Sequence, residues 1–296
     1  MTADLKEFAC SLLQLSGIGA LVRETFQRRT VTILCYHQLT PVIADIHFTT
    51  LRRHYAPIRL QDYIEARQTN RLDRLPPKSL VITIDDGHKS IYQLKDVLAK
   101  HRIPVTVFLC SGFVEAARRF WFSAPGLSEA RRQQLKEVPD DARLDALRAM
   151  GFDECVEFGD RDGLTLCEIR DLQPLVDFEA HSVTHPILSQ CSNAKSEEEI
   201  TSCRIDLERS LGASVKAFAY PNGSYSAREV EYAARAGYEC AVTTRPGFNS
   251  FATPPFELRR FVMRDDCGRF ELLTRACGIW NVLPKRTTFT RKVAAA

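Results

Sequence analysis

The sequence predicts an α/β fold of about seven parallel strands joined by crossover helices. Short apolar runs rich in β-branched residues recur along the chain, and stretches of helical length and periodicity separate them. Several of the apolar runs end in residues that can do chemistry, which is where folds of this class gather their functional groups.

In chain order, strands are expected near 31–35, 79–84, 105–109, 176–180, 215–219, 239–243 and 257–262. Helices fit near 48–55, 60–68, 90–100, 196–211, 226–236 and 268–277, the one at 226–236 closing on Gly237 as a C′ residue. Residues 112–165 interrupt this rhythm as a polar, mostly helical insertion, of the kind that shapes access to a site more than it builds a core. The pattern alone leaves open whether the strands close into a barrel or form an open doubly wound sheet.

Before the first strand, residues 8–22 are apolar but interrupted by Gly17 and Gly19 and preceded by Asp4 and Glu7. The stretch falls short of a spanning helix, and packing against the domain's own core is the expectation. A signal peptide and, with Arg23, Arg28 and Arg29 following, an amphipathic helix in peripheral contact with the inner membrane are the alternatives. The chain thus divides into a helical segment 1–30, a domain 31–285 carrying the insertion, and a tail 286–296.

Composition narrows the function classes. Apolar residues at 45% and charged residues at 26% suit a globular domain with a sizeable core. With 40 basic against 37 acidic residues, the net charge of +3 gives nucleic-acid binding no electrostatic support. Ten cysteines without a CxxC pair read as buried thiols in a reducing compartment, the cytoplasm, rather than as a disulfide framework.

Three strand ends carry candidate chemistry. Strand 79–84 runs straight into Asp85-Asp86-Gly87-His88. Two carboxylates at a buried strand end are costly unless paired or metal-bound, and neighbouring carboxylates can divide the labour of metal ligand and general base. Helix capping by either Asp is the plainer reading of this segment alone. Strand 176–180 runs into His181-Ser182-Val183-Thr184-His185-Pro186, where two histidines can share one ion and Pro186 favours a loop over a helix. Two imidazoles and one carboxylate leave an open position for water on Zn2+ or a similar cation, which acidifies that water and polarises a carbonyl, with the second carboxylate free to take the proton. The same ligands can hold Fe(II) in an oxygenase, but that leaves the second carboxylate without a task. Strand 215–219 runs into Tyr220-Pro221-Asn222-Gly223-Ser224-Tyr225, an ordinary turn signal whose backbone N–H can also serve an oxyanion and whose Tyr220 or Tyr225 can stack on a sugar.

Taken together, Thr83-Ile84-Asp85-Asp86-Gly87, His181-Ser182-Val183-Thr184-His185 and Phe218-Ala219-Tyr220-Pro221-Asn222-Gly223 resemble, in order and spacing, the signature segments of the polysaccharide deacetylase family (NodB homology domain, carbohydrate esterase family four). Leu34-Cys35-Tyr36-His37 and Phe120-Trp121-Phe122 extend the resemblance, which runs from about Val31 to about Val262. It implies a distorted (β/α) barrel and a metal-dependent hydrolase of N-acetyl or O-acetyl groups on glycans, with zinc the expected ion and the N-acetyl groups of amino sugars in a polysaccharide or lipid-linked glycan the expected target. Asp85 is then the base, Asp86, His181 and His185 the metal ligands, and Asn222 the oxyanion donor through its backbone N–H. Tyr220, Pro221, Trp121, Arg260 and His88 are the substrate-binding candidates. Two features depart from the family pattern. Many members carry an arginine where Ala219 stands, a charge that Arg259 or Arg260 can supply, and no histidine follows His185 to act as the late general acid, which leaves His37 as the candidate. A catalytically impaired glycan-binding protein, or an amidase acting on a non-polymeric C–N amide, are the alternatives.

Overall fold

The computed structural model describes residues 3–282. Its strands are β1 (Thr32–Tyr36), β2 (Ala56–Pro57), β3 (Ser79–Ile84), β4 (Thr106–Leu109), β5 (Asp177–Ala180), β6 (Ala217–Ala219), β7 (Cys240–Val242) and β8 (Phe261–Val262). They form one sheet in the order β7-β6-β5-β4-β3-β1-β8, with β2 beside the start of β3 and every ladder parallel. The residues just before β8 close the circuit. Leu258 N–H donates to Ala241 O at 3.0 Å, Thr243 N–H donates to Leu258 O at 2.8 Å, and three residues later Phe261 lies in register with Leu34 of β1. The sheet therefore curls into the distorted (β/α) barrel that the family resemblance implies.

Alternation along the strands sorts the core into two layers. Ile33, Val81, Phe108, Ala217, Ala219, Cys240 and Val242 pack together in the barrel interior. Leu34, Ile82, Val107, Phe178, Phe218 and Ala241 pack outward against Phe48, Leu98, Ile200 and Leu207 of the surrounding helices. Burial on both faces is why these strands read as unbroken apolar runs.

Several boundaries differ from expectation. The helix expected at 48–55 starts at Pro41, where Thr40 accepts a hydrogen bond from Ile43 N–H and Pro41 takes the first helical position. The segment 90–100 is a 3-10 turn, Lys89–Leu94, followed by the α-helix Lys95–His101. Strand β2, two residues long and ending in proline, carries too short a pattern to be read. The insertion is not mostly helical: it has the helices Glu129–Leu135 and Asp140–Ala149, and otherwise turns and loops. Its own small core gathers Trp121, Leu135, Leu147 and Phe152, with buried Arg143 held by Asp140 and Glu154 and stacked over the Trp121 ring. All ten cysteines are unpaired.

The N-terminal segment corrects a further expectation. It forms the helices Ala3–Leu15 and Ile18–Thr25, broken at Gly17 in the left-handed region. It does dock on the domain, but through Glu7, Cys10 and Gln14 rather than through its large apolar side chains, because Glu7 caps the start of the helix Arg269–Ala276. Gly268 permits this cap, since a Cβ there would lie 2.3 Å from the Glu7 carboxyl carbon. The tail 286–296, and the last residues assigned to the domain, lie outside the described residues.

Glu179, inward on β5, carries no signal in the sequence. One of its oxygens accepts from Lys216 N–H and Ala217 N–H, both at 2.7 Å. Burial pushes its carboxyl from the ordinary 4.5 up to about 8, with the two backbone bonds opposing. The folded state thus keeps a proton that the unfolded chain releases: the resulting stability is complete below about pH 4.5 and is lost as pH rises through about 8. Unfolding free energies from denaturant titrations between pH 5 and pH 8 should fall by up to about 1.4 kcal/mol per pH unit for the natural chain, and Glu179→Gln should flatten that slope.

Candidate active site

The carboxyl ends of β1, β3, β5 and β6 open into one pocket of about 170 Å³ lined by His37, Asp85, Asp86, Trp121, Phe122, Arg132, Lys136, His181, His185, Ile187, Asn222 and Thr244. Clefts of about 560 and 370 Å³ lie at the other end of the barrel around Arg59 and Asp177. Among the described residues they contain no cluster of metal-ligating groups, so chemistry rather than size identifies the site.

Asp86, His181 and His185 converge here from two strand ends remote in sequence. One Asp86 oxygen lies 3.4 Å from His181 Nε2 and 3.3 Å from His185 Nε2, all three side chains being buried. That oxygen makes no hydrogen bond, and neither does His185 Nδ1. Donors bound to one tetrahedral ion at about 2.1 Å sit roughly 3.4 Å from each other, so the spacing fits a shared divalent cation. His181 Nδ1 lies 2.7 Å from Ala219 O; a proton on Nδ1 donated to that carbonyl leaves the Nε2 lone pair facing Asp86. Burial opposes charge on Asp86, but the two imidazoles outweigh it and hold the carboxyl well below its ordinary range.

Asp85 sits beside this cluster in the grip of Arg260. The guanidinium donates to both carboxylate oxygens at 2.7 Å, and also to Thr83 Oγ1 and Thr243 O, each at 2.9 Å. Burial disfavours the charged carboxylate, yet Arg260 prevails and brings the Asp85 pKa down to about 2. The Cys35 thiol donates to Asp85 at 3.4 Å. Arg260 enters from the segment that closes the barrel, whereas Ala219 on β6 presents only a methyl to the interior. Of the two arginines considered, Arg260 therefore supplies the charge, and because it is wholly buried it cannot contact substrate.

Local backbone is bent to make the site. Of eight non-glycine residues with positive φ among the described residues, four belong to it: Asp86, Ser182, His185 and Asn222. Such strain persists only where surrounding bonds over-determine it. Gly87, at φ 69°, lets β3 turn against Leu109, whose Cα a Cβ would approach to 3.3 Å. The His181–His185 loop is braced by Glu199, which accepts from Val183 N–H and Thr184 N–H at 2.8 Å and from Thr184 Oγ1 at 2.5 Å. Trp121 Nε1 donates to His185 O at 2.9 Å, and the Phe122 ring meets the His185 ring edge-on at 5.0 Å. Replacing Glu199 with Ala strands these donors; it should destabilise the fold by about 3 kcal/mol in denaturant titrations and weaken metal affinity about 10–100-fold in competition with a chelator, with Glu199→Gln milder in both.

His37, Asn222 and Trp121 do reach the pocket. Asn222 occupies the left-handed region at φ 56°, which asparagine tolerates, and the His37 backbone N–H donates to Asp265 Oδ1 at 3.1 Å. Trp121 is a buried wall that positions the His185 carbonyl rather than an open platform. Tyr220, Pro221 and His88 are not brought to the pocket. Alternation puts Phe218 and Tyr220 in the outer layer, where the Tyr220 hydroxyl donates to Phe256 O and its ring stacks on Tyr225 at 4.7 Å. Pro221 is buried at the start of the turn that aims Asn222. His88 accepts from Ser90 N–H as the cap of the next turn and so faces away.

The polysaccharide deacetylase family model matches residues 73–241, more than half of the chain. A search among curated proteins finds no sequence match. Among solved structures, a Streptococcus pyogenes deacetylase, PplD, in complex with acetate superposes with a TM-score of 0.62 at 21% identity, covering 83% of this chain and 98% of that one. IcaB from Ammonifex degensii gives 0.62 at 18%, covering 85% and 98%, and the BpsB deacetylase domain from Bordetella bronchiseptica gives 0.56 at 18%, covering 79% and 96%. At these identities the likeness is one of fold, and it agrees with the family match. Asp85, Asp86, His181 and Asn222 all fall within the matched residues, and the chain belongs to the polysaccharide deacetylase family.

Proposed function

We propose that this chain is a metal-dependent hydrolase that removes N-acetyl groups from amino sugars of a polysaccharide or lipid-linked glycan. The observation that carries the reading is the unbonded Asp86 oxygen set between two imidazole nitrogens, with an ionised carboxylate next to it in the same pocket.

Asp86, His181 and His185 would hold the cation, and their two nitrogens and one oxygen suit zinc. When bound, such an ion polarises an acetamide carbonyl and acidifies a water. Asp85 takes the proton of the attacking water; Arg260 fixes its plane and keeps it charged beforehand. The backbone N–H of Asn222 donates to the oxygen on which charge collects. As the C–N bond breaks, His37 delivers a proton to the departing amine, so that water and acetamide become acetate and a free amino sugar. Trp121 and Phe122 form an apolar wall beside the reacting group, which strengthens the electrostatics there by excluding water.

The test is acetate release from N-acetylated amino-sugar oligomers, free and lipid-linked. Release should stop when a chelator strips the metal and return on adding zinc. Saccharide binding without acetate release by fully metallated protein would sink the proposal.

A further inference from the structure

The outward face of the N-terminal helices has no partner in the described residues. Along Ala3–Leu15, Leu5, Phe8, Leu12 and Leu15 are 53%, 60%, 55% and 76% exposed. At 3.6 residues per turn these four fall within an arc of about 80°, with Glu7, Cys10 and Gln14 opposite. The stripe continues past Gly17 through Ile18, Leu21 and Phe26 at 51%, 63% and 68%. Here too the docked face is small or polar: Gly19, Arg23 and Gln27 are buried, with Arg23 donating to Gln14 Oε1 at 3.0 Å and Gln27 donating to Ala276 O at 3.0 Å. The segment is thus amphipathic and bound to its domain by the wrong side for core packing, which leaves a continuous apolar strip in solvent.

Charge and shape indicate what covers it. Of the segment's described acids, Glu7 caps the helix Arg269–Ala276, and Glu24, half exposed, is neutralised by Lys78 at 2.7 Å and lies 3.7 Å from Arg28. Arg28 and Arg29 stand exposed at one end of the strip, and Lys6 flanks the other. The chain leaves the described residues close by, since Gln14 Nε2 lies 3.8 Å from Cys277 Sγ. The sequence beyond, 283–296, adds Lys285, Arg286, Arg291 and Lys292 and no acid. The two helical pieces are bent by 62°, which suits a surface and not the straight seam of a helix pair from a second copy. Neither piece is long enough to cross a bilayer.

We infer that this strip is an interfacial docking surface for an anionic lipid bilayer, its apolar side chains entering the headgroup boundary and its basic ends meeting the lipid charge. Glu7 marks its upper end at the same end of the barrel as the pocket, because the helix whose start Glu7 caps is the next helix after β8. Docking along the strip therefore lays the side of the barrel on the membrane.

The experiment is co-sedimentation of the full chain with phosphatidylcholine vesicles, with and without one-third phosphatidylglycerol. Anionic lipid should raise the partition coefficient about tenfold or more, and raised salt should reverse that gain. The double substitution Leu12→Glu with Leu21→Glu alters only exposed positions; it should cut partition at least about tenfold while circular-dichroism melting stays as in the natural chain. Ending the chain at Val282 should reduce the anionic-lipid gain without abolishing binding. The inference is overturned if the natural chain stays in the supernatant with both vesicles, if the double variant binds equally well, or if analytical ultracentrifugation finds a dimer that Leu12→Glu splits. None of these readouts depends on acetate release, so the deacetylase reading stands or falls separately.

Discussion

Asp85→Asn is expected to lower kcat for acetate release by about 10²- to 10⁴-fold, while metal content by elemental analysis remains at that of the natural protein. A positioned general base contributes in this range, and the amide keeps the shape of the carboxylate but cannot accept the proton. The converse holds for His181→Ala, which removes one of the three proposed ligands and should take metal and activity away together. The two variants thus separate loss of the base from loss of the ion. Folding has to be checked alongside, because the Asp85→Asn change leaves the buried Arg260 guanidinium facing a neutral group, at a cost of about 3 kcal/mol. An Asp85→Asn protein that is folded, metallated and fully active would remove Asp85 from the mechanism.

How much of this is legible in the sequence follows from which signals are local. Asp85 and Asp86 end one strand and His181 and His185 follow another, and in a parallel barrel all strand ends of one polarity share a rim, so the convergence of the four can be argued from order alone. The two-residue rhythm also contains the fate of Tyr220: Ala217 and Ala219 are the small residues that an interior accepts, which puts Phe218 and Tyr220 outside. The sugar-stacking expectation for Tyr220 neglects that parity, and the expectation for His88 neglects its local task of capping a turn. Glu199 has no local signal at all. It sits on the helix Asn193–Leu211, and only the tertiary fold sets it beneath the loop of residues 182–185. The outward N-terminal strip defeats the ordinary assumption that an apolar stretch without a visible partner packs inward. What reverses it is one carboxylate, Glu7, satisfying the exposed N–H groups of a helix more than 260 residues away.

Arg260 carries the other large expected effect. It is fully buried and its fork spans both Asp85 oxygens, so Arg260→Met should destabilise the fold by about 3–5 kcal/mol in urea titrations, since the variant leaves an uncompensated carboxylate in the barrel. Burial, which raises a carboxyl pKa, would then be opposed only by the charges of His181 and His37, so the acid limb of kcat/KM should move up from the strongly acid region. Activity should accordingly fall more at pH 5 than at pH 8. Arg260→Lys should land between, because an ammonium restores charge without the two-pronged geometry. Combining Arg260→Met with Asp85→Asn should cost less than the sum of the single changes, because the double variant buries neither charge alone. Additive losses, or an Arg260→Met profile whose acid limb coincides with that of the natural chain, would mean that the guanidinium does not control the base, and that the charge supplied elsewhere in the family at the position of Ala219 has no counterpart here.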